Sequence, residues 1–351
     1  MSLTTFAQEI QAGLDHALET DPGTLVFGLG VPDPKGVFGT TLDLQKKYGE
    51  TRVFDMPTSE NAMTGIAIGA ALGGFRPVLT HQRLDFALLS MDQLVNNAAK
   101  WHFMFGGQRS VPITIRMILG RGWGQGPTHS QNLQSWFSHI PGLKVVMPAL
   151  ASDARGLLLS SIFDPNPVIF LEHRWLHNAQ TEANDRSALV PLGKANRLSE
   201  GDAVTIVSVS YMTIEALHAV EVLKAQGVSC DLIDLRTISP VDWPAIQQSV
   251  NKTGRLLVLD TGSKQFGIAG EIMAHVTEHC WGSLQSPPAR LTSPDYPEST
   301  SPALTKEYHV RAEHIAAKVG EMIGKQISTQ PILDARGTAH DVPGTWFTGP
   351  F

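Results

Sequence analysis

Cysteine is scarce in this chain of 351 residues. Cys230 and Cys280 lie far apart and form none of the short spacings typical of zinc sites or redox pairs. A disulfide framework and a cysteine-based metal site are therefore excluded. The chain also lacks a basic N-terminal segment followed by a short apolar run, which would indicate a secretion signal. Together these features predict a cytoplasmic protein in a reducing compartment.

A strong excess of one charge is also missing. The formal net charge is −6 and no long basic or acidic run occurs, so we expect neither a nucleic acid nor a membrane surface as partner. No uncharged stretch approaches the length needed to cross a bilayer. The composition therefore predicts a soluble globular protein.

Apolar residues, by contrast, are plentiful enough to build more than one core. The hydrophobic fraction is 42% and the length of 351 residues exceeds one typical domain. Short apolar runs alternate with helix-like segments, a pattern typical of parallel sheets covered by helices. We therefore predict an α/β fold with two parallel-sheet domains, 1–185 and 186–326, and a tail, 327–351, that is disordered or lies over a neighbour. The predicted strands are 111–118, 144–147, 168–171, 203–209, 229–235 and 255–260, and the predicted helices are 85–105, 152–163, 213–226 and 241–252.

Glu60 is the one charged residue in a segment that is otherwise rich in glycine and alanine. It follows a strand-like stretch, 52–54, and a turn at Pro57, so it lies in the first turn of a predicted helix that Thr58 or Ser59 can cap. The small side chains after it allow a flat ligand or another backbone to approach closely. Two interpretations of this segment remain open: Glu60 complements the helix dipole, or it performs chemistry in an interface.

A loop with four glycines, 120–126, follows a predicted strand and leads to His129. Such a loop is free to approach a ligand, and loops of this kind often carry function. His129 is therefore a candidate catalytic residue, although an isolated histidine is more often a cap or a polar loop residue. His173 and His177 have the four-residue spacing of helical metal ligands. Because they follow a strand, we interpret them as part of a surface connection.

Several ordered motifs are recognisable together. Thr58-Ser59-Glu60 precedes the Gly/Ala helix, and Thr128-His129-Ser130-Gln131 follows the glycine-rich loop. From about residue 24 to residue 325 the chain resembles the β subunit of the thiamine-diphosphate-dependent 2-oxo acid dehydrogenase E1 component, of the pyruvate and branched-chain type. The resemblance implies a domain that binds the pyrimidine end of the cofactor, followed by a transketolase-type C-terminal domain. Further stretches that carry it are 85–86, 91–100, 141–148, 156–161 and 230–240.

The resemblance also implies roles for individual residues around thiamine diphosphate, the cofactor of that family. Glu60 matches the glutamate that bonds the aminopyrimidine ring and favours the tautomer that activates the thiazolium. Phe86 matches the aromatic residue that stacks on the pyrimidine, and Gln82 lies beside it. His129 matches a histidine of the active-site funnel that manages protons. The implied reaction is decarboxylation of a 2-oxo acid with transfer of the acyl group to a lipoyl carrier.

Metal sites and partners follow from the same resemblance. Members of the family bind a structural potassium ion through backbone carbonyl oxygens. At the matching positions this chain has Ile113, Ser161, Asp164 and Asn166. The Gly-Asp-Gly motif that holds magnesium and the diphosphate is absent, since Gly201-Asp202 is followed by Ala203 and a strand. The resemblance therefore implies an E1 α subunit that supplies magnesium in an α2β2 heterotetramer, and a lipoyl acyltransferase (E2) as a further partner.

The chain departs from the family pattern near the predicted cofactor site. His81 adds a histidine beside the pyrimidine pocket, and Arg121 with Trp123 adds bulk near His129. His81 and Arg121 are thus candidate substrate contacts, because a guanidinium can pair with a substrate carboxylate. The alternative for Arg121 is a solvated surface residue. Gly28-Leu29-Gly30 replaces a strand end that usually carries two acids.

Three functions compete on this sequence. The first hypothesis is the E1 β subunit described above, and the second is a split transketolase-like or acetoin-cleaving transferase that uses the same cofactor. The third is a regulatory β subunit that has lost turnover but keeps the interface. Glu60, Phe86 and His129 are all present, which argues against the third.

Overall fold

The computed structural model describes residues 3–182 and 188–349. The chain divides into two compact units, an N-terminal unit up to Leu192, to which Thr348 and Gly349 are also assigned, and a C-terminal unit from Gly193 to Phe347. The predicted domain boundary at 185/186 lies outside the described residues. Among the helices within the described ranges, none combines the length and the apolar character that crossing a bilayer requires.

The N-terminal unit is built on a parallel sheet, as predicted. Its strands are β1 (Leu3–Thr5), β2 (Thr24–Gly28), β3 (Val53–Phe54), β4 (Arg76–His81), β5 (Thr114–Leu119), β6 (Lys144–Val146), β7 (Val168–His173) and β8 (Gln180–Glu182). The sheet has the order β6-β7-β5-β4-β2-β3, and each neighbouring pair is parallel. All residues of β5 and β7 are buried, which explains why these strands form continuous apolar runs in the sequence. β1 and β8 form a separate antiparallel pair.

Helices connect these strands. They are α1 (Phe6–Thr20), α2 (Leu44–Tyr48), α3 (Glu60–Leu72), α4 (Leu84–Ala87), α5 (Ala99–Met104), α6 (Gln134–Ser138) and α7 (Ala151–Ile162). α1 begins with a capping box in which Thr5 and Gln8 satisfy each other's backbone N–H groups. α1 packs against α7, where Arg155 and Glu9 form a buried ion pair at 3.3 Å.

The predicted helix 85–105 is interrupted in the structure. After α4, a 3₁₀ turn spans Leu88–Ser90 and a π-helical turn spans Gln93–Ala98. Ser90 is fully buried, and its hydroxyl is hydrogen-bonded at 2.9 Å to that of Thr64 in α3. Hydrophobic spacing does not reveal π turns, which are frequent at functional sites. The interruption holds the segment after α4 against the first turns of α3.

The C-terminal unit contains a second sheet. The strands of this sheet are β9 (Asn196–Ser199), β10 (Val204–Ser208), β11 (Cys230–Asp234), β13 (Leu256–Ser263) and β14 (Ala289–Ser293). β12 (Thr237–Ser239) is a further short strand of the unit that does not belong to this sheet. The helices of the unit are α8 (Tyr211–Ala225), α9 (Trp243–Thr253), α10 (Ile268–Cys280), α11 (Ala312–Ile323) and α12 (Gln330–Arg336). The sheet order is β14-β13-β10-β11-β9, with only the β9 pairing antiparallel. Its core joins β10, β11 and β13 to α8 and α11 through buried residues such as Ile206, Leu232, Leu223 and Ile315.

The tail was predicted to be disordered or to lie over a neighbour. It contains α12, and Arg311 donates hydrogen bonds to the carbonyl oxygens of His340, Val342 and Pro343 at 2.8, 3.0 and 3.1 Å. The sequence pattern did not predict this because the anchor is a side chain outside the tail that binds backbone atoms, which carry no sequence signal. These hydrogen bonds thus hold the tail around residues 340–343 on its own unit.

The strand order of the N-terminal sheet reverses at β2. β2 leads to β3 on one side, whereas the next strand, β4, lies on the other side of β2. In open α/β sheets, ligands bind outside the carboxyl ends of the strands at such a switch point. That edge carries Gly30 after β2, Asp55 after β3, Gln82 after β4 and the glycine-rich loop after β5. The fold alone therefore indicates where the site lies.

Candidate active site

Glu60 is the first residue of α3 and is only 6% exposed. Its backbone carbonyl accepts a hydrogen bond from the hydroxyl of Thr64 at 2.8 Å, but in the described part of the chain its carboxyl group has no hydrogen bond or ion pair. The predicted side-chain cap is wrong, because Ser59 occupies the N-cap position without capping the helix. A mostly buried acid without a partner is costly unless a ligand or another chain completes it.

Phe86 and His129 are brought together although they are far apart in the sequence. Their ring centroids lie 5.3 Å apart at an interplanar angle of 87°, an edge-to-face contact. Phe86 is 36% exposed, so it is not an aromatic residue of the core. The hydroxyl of Thr128 lies 3.1 Å from Nδ1 of His129. The pair thus places a partly exposed aromatic ring next to an imidazole.

Gln82 lies over Gly30 at the switch point. A Cβ built on Gly30, whose φ is +75°, would stand 2.4 Å from the amide nitrogen of Gln82, so no larger residue fits there without displacing Gln82. The N–H of Gly30 donates to Oδ1 of Asp55 at 3.0 Å. Sequence reasoning missed Asp55, although an acid directly after a strand end is a usable signal. Asp55 supplies a carboxylate close to a strand end that lacks the family's usual acids.

His81 and Arg121 are both buried, at 3% exposure each. The alternative of a solvated surface residue for Arg121 is therefore wrong. Burial lowers the pKa of His81 to about 4, so its imidazole is neutral at physiological pH. Nε2 of His81 has no hydrogen-bond partner within the part of the chain that the structure describes. That nitrogen is available to a ligand.

The interpretation of His173 and His177 as a surface connection is wrong. They are 3% and 1% exposed, and His177 lies in a buried network with Glu172 and Arg116. Nε2 of His177 lies 3.2 Å from Oε2 of Glu172, and Nε of Arg116 lies 2.7 Å from Oε1. The missed signal was Arg116, because an arginine inside an apolar strand requires a buried acidic partner.

Two family models match the chain. The pyrimidine-binding domain of transketolase matches residues 4–179, and the C-terminal domain of transketolase matches residues 193–315. The mitochondrial pyruvate dehydrogenase E1 component subunit beta-1 of Oryza sativa subsp. japonica is 39% identical over 297 residues, which cover 84% of this chain and 79% of the relative. The acetoin:2,6-dichlorophenolindophenol oxidoreductase subunit beta of Cupriavidus necator is 38% identical over 318 residues, with coverages of 88% and 94%. The chain belongs to the β-subunit family of thiamine-diphosphate-dependent 2-oxo acid dehydrogenases.

A solved structure has the same fold as this E1 β-family chain. It is described as a split gene transketolase, inactive beta4 tetramer, and it matches with a TM-score of 0.75 at 21% identity, covering 91% of this chain and 98% of that chain. At this identity the likeness concerns the fold alone. The predicted family and the two transketolase-type α/β domains are confirmed. The roles of single residues stay predictions.

The E1 β-family residues at the switch point fit the pyrimidine end of thiamine diphosphate. Glu60 offers a buried acid without a protein partner, and Phe86 offers an exposed ring. For the magnesium end the described ranges offer no group of three or more His, Cys, Asp or Glu side chains that could hold a metal ion. The donor set on this chain thus fits one half of the cofactor.

The four predicted potassium ligands lie near the connection from α7 to β7 and the start of β5: Ser161 is in the last turn of α7, Asp164 and Asn166 follow it, and Ile113 directly precedes β5. The N–H of Asp164 donates to the carbonyl oxygen of Ser161 at 3.3 Å, and the N–H of Asn166 donates to Oδ1 of Asp164 at 2.9 Å. The carbonyl oxygen of Ile113 accepts a hydrogen bond from Val168 at 2.9 Å. The carbonyl oxygen of Ile113 keeps a second lone pair that a cation can use, whereas the carbonyl oxygen of Ser161 already faces the N–H groups of both Phe163 and Asp164. Potassium binding at these residues stays a prediction.

Proposed function

We propose that this chain is the β subunit of an E1 enzyme that decarboxylates a 2-oxo acid and transfers the acyl group to a lipoyl carrier. The observation that carries the proposal is the buried, unpartnered acid of Glu60 at the reversal of the strand order. Thiamine diphosphate supplies the electron sink for decarboxylation when it is bound. Glu60 holds the proton that is shared with the aminopyrimidine ring, and its burial keeps water away from that hydrogen bond.

The other residues of the site position the ligands. Phe86 stacks on the pyrimidine ring, and Gln82 borders the ring from the end of β4. His129, in edge contact with Phe86, moves protons at the substrate side. Arg121 and His81 contact the substrate, Arg121 as a cation for its carboxylate and His81 as a neutral hydrogen-bonding group.

An α subunit completes this site in the proposal. The α subunit supplies the residues that bind the diphosphate and magnesium. The resulting α2β2 heterotetramer also binds a lipoyl acyltransferase. Apolar side chains around the proposed site support a protein partner: Ile66 on α3 is 58% exposed and Leu89, after α4, is 66% exposed. Exposed apolar groups next to a site are typical of interfaces.

The activity can be tested with the reconstituted α and β chains. We expect the pair, with thiamine diphosphate and magnesium, to reduce an artificial electron acceptor with at least one short, branched or aromatic 2-oxo acid. Each chain alone is expected to give no rate above background. Turnover by the isolated β chain would contradict the shared site, and no turnover of any 2-oxo acid by the pair would contradict the proposal.

A second candidate reaction is the cleavage of acetoin. The relative named for acetoin oxidation is covered to 94% of its length, more than the pyruvate dehydrogenase relative. Acetoin belongs in the same assay, because turnover of acetoin without turnover of 2-oxo acids would replace the first reaction by the second.

Potassium, if bound as predicted, stabilises the turn that joins α7 to β7. We expect the apparent melting temperature of the complex to rise by a few degrees when choline chloride is replaced by potassium chloride at equal ionic strength, because a ligand that binds only the folded state stabilises it. Sodium chloride is the matched control. Equal melting temperatures in potassium, sodium and choline salts would remove the potassium site.

A further inference from the structure

The loop from Gly120 to Gln131 carries His129. The N–H of Gly120 donates to the carbonyl oxygen of Gln131 at 3.3 Å, which joins the two ends of the loop, and the N–H of His129 donates to the carbonyl oxygen of Gly126 at 3.2 Å. Gly120, Gly124 and Gly126 have φ values of +75°, +102° and +82°, and glycines in such conformations give a chain great freedom in the absence of external contacts. The direction of the His129 ring therefore depends on what the loop is attached to.

One short segment attaches the loop at three points. Nη1 of Arg83 donates to the carbonyl oxygen of Gly120 at 2.8 Å, at the start of the loop. Nε2 of Gln131 donates to Oδ1 of Asp85 at 2.8 Å, at its end. Between these two bonds, Phe86 makes the edge-to-face contact with His129. We call Arg83–Phe86 the clasp segment.

The loop also rests on buried residues after β7. A Cβ on Gly120 would stand 2.2 Å from the His173 ring, so the backbone of the loop lies directly on that ring. Nε1 of Trp175 donates to the carbonyl oxygen of Gly122 at 3.1 Å. His173 and Trp175 thus contact the backbone at the start of the loop. The clasp segment contacts both ends of the loop and the His129 ring.

Arg83 is itself held in place. It is 2% exposed, and its guanidinium lies 5.8 Å from the ring centroid of Phe38. Phe38 also faces the guanidinium of Arg174 at 4.4 Å and has a φ of +51°, an unfavourable conformation for a bulky residue that persists only when its surroundings enforce it. This arrangement orients Arg83 toward Gly120.

From these contacts we propose that Arg83 and Asp85 are positioning residues that fix the His129 ring relative to Phe86. Phe86 belongs to the clasp segment, and the loop that carries His129 is bound to the same segment. The two rings therefore keep one relative orientation. The inference rests on the proposed function for its kinetic consequence, but the order of the loop can be measured without any activity. A displacement of about 1 Å at a catalytic group costs on the order of 10²-fold in rate.

The experiment compares Arg83→Met, Arg83→Lys and Gln131→Met in the reconstituted complex with the wild type. We expect Arg83→Met and Gln131→Met to raise the amide hydrogen exchange of residues 120–131 at least ~10-fold and to lower kcat on the order of 10-fold to 100-fold, with KM changed less. Arg83→Lys keeps a donor for the Gly120 carbonyl oxygen and is expected to restore most of both. The matched control is Arg52→Met, because Arg52 also anchors backbone carbonyl oxygens, those of Leu18 and Asp21 at 2.8 Å each.

The outcomes separate the clasp from the proposed function. Faster exchange in the loop with Arg83→Met but not with Arg52→Met supports the clasp, even if no substrate is turned over. Unchanged exchange in the loop overturns it, and so does an equal rise of exchange throughout the N-terminal unit, which would mean general destabilisation. A fall in kcat that Arg83→Lys does not restore would also contradict a positioning role.

Discussion

Glu60→Gln is expected to slow exchange of the thiazolium C2 proton in the reconstituted complex by roughly 10²-fold to 10⁴-fold. This corresponds to about 3–5 kcal/mol of activation free energy. The amide keeps the size of the side chain but cannot hold or share the proton, so the pyrimidine loses its partner while packing at the start of α3 is retained. Exchange followed by NMR in deuterium oxide measures the step without any assumption about the substrate.

The control for this variant is Glu50→Gln. Glu50 is an exposed acid of the same unit that lies in the turn before β3, so its substitution is expected to leave the exchange rate and the assembly unchanged. Binding of thiamine diphosphate by both variants should be measured by calorimetry. Exchange at the wild-type rate in Glu60→Gln would remove Glu60 from the chemistry and leave it as a partner of the helix dipole.

Arg116→Met is expected to lower the free energy of unfolding by about 3–5 kcal/mol, because it leaves the Glu172 carboxylate buried without its cation. Both side chains are fully buried, and two hydrogen bonds join them, Nε to Oε1 at 2.7 Å and Nη2 to Oε2 at 3.0 Å. Arg116 also donates to the hydroxyls of Thr40 and Thr80 at 3.0 and 3.3 Å. Urea unfolding followed by circular dichroism measures the difference.

The double variant Arg116→Met/Glu172→Leu distinguishes the cost of an uncompensated buried charge from the loss of packing. Replacing both charges by apolar groups removes the uncompensated charge, so we expect this variant to recover half or more of the lost stability. If the double variant is no more stable than Arg116→Met, the loss comes from packing and the electrostatic explanation is wrong.

The same network is expected to make the protein sensitive to acid. Burial lowers the pKa of His177 to about 4, so between pH 6.5 and pH 4 the unfolded chain binds a proton there that the folded chain does not, and stability falls as the pH falls. Burial alone would raise the pKa of Glu172, but the charge of Arg116 and the hydrogen bonds from His177 and Arg116 hold it below its usual value. The stabilisation that ionised Glu172 gives is complete above the pKa that a glutamate has in the unfolded chain. It is lost as the pH falls through the lower pKa that Glu172 has in the folded protein.

Thermal unfolding at pH 8, 6 and 5 tests this dependence. His177→Phe keeps a ring near Phe6 and Phe38, which now lie 6.0 and 5.7 Å from the imidazole, and it is expected to flatten the dependence between pH 6.5 and pH 4. His139→Gln is the control, since His139 is exposed. An unchanged dependence in His177→Phe would assign the acid sensitivity to other groups.

Much of the site was readable from the sequence because its members lie next to local signals. Glu60 follows a strand and a Pro57 turn and begins a helix, and His129 ends a loop of glycines after a buried strand. Both signals depend on short-range backbone geometry, which residues i to i+4 largely fix. The predicted stacking role of Phe86 came only from the resemblance, because an aromatic residue in a helix is as typical of a core.

Other parts of the site were not readable because they depend on contacts between distant strands. His173 and His177 looked like a surface connection, yet the pairing of β5 with β7 places Arg116 close to Glu172 and buries both histidines. Within the interrupted helix 85–105, the hydroxyl of Ser90 is hydrogen-bonded to that of Thr64 in α3. Hydrophobic periodicity reports which face is buried, but it does not report hydrogen bonds between side chains that meet only after folding.

The sequence by itself determined the α/β fold class, the family and the candidate residues Glu60, Phe86 and His129, because apolar alternation and ordered motifs are local properties of the chain. Only the tertiary structure decided which of these residues meet. It placed the Phe86 ring against His129, buried His81 and Arg121, and joined the glycine-rich loop to Arg83 and Asp85. The physical reason is that a parallel sheet gathers the carboxyl ends of strands distant in sequence at one edge, where long-range contacts fix each side chain.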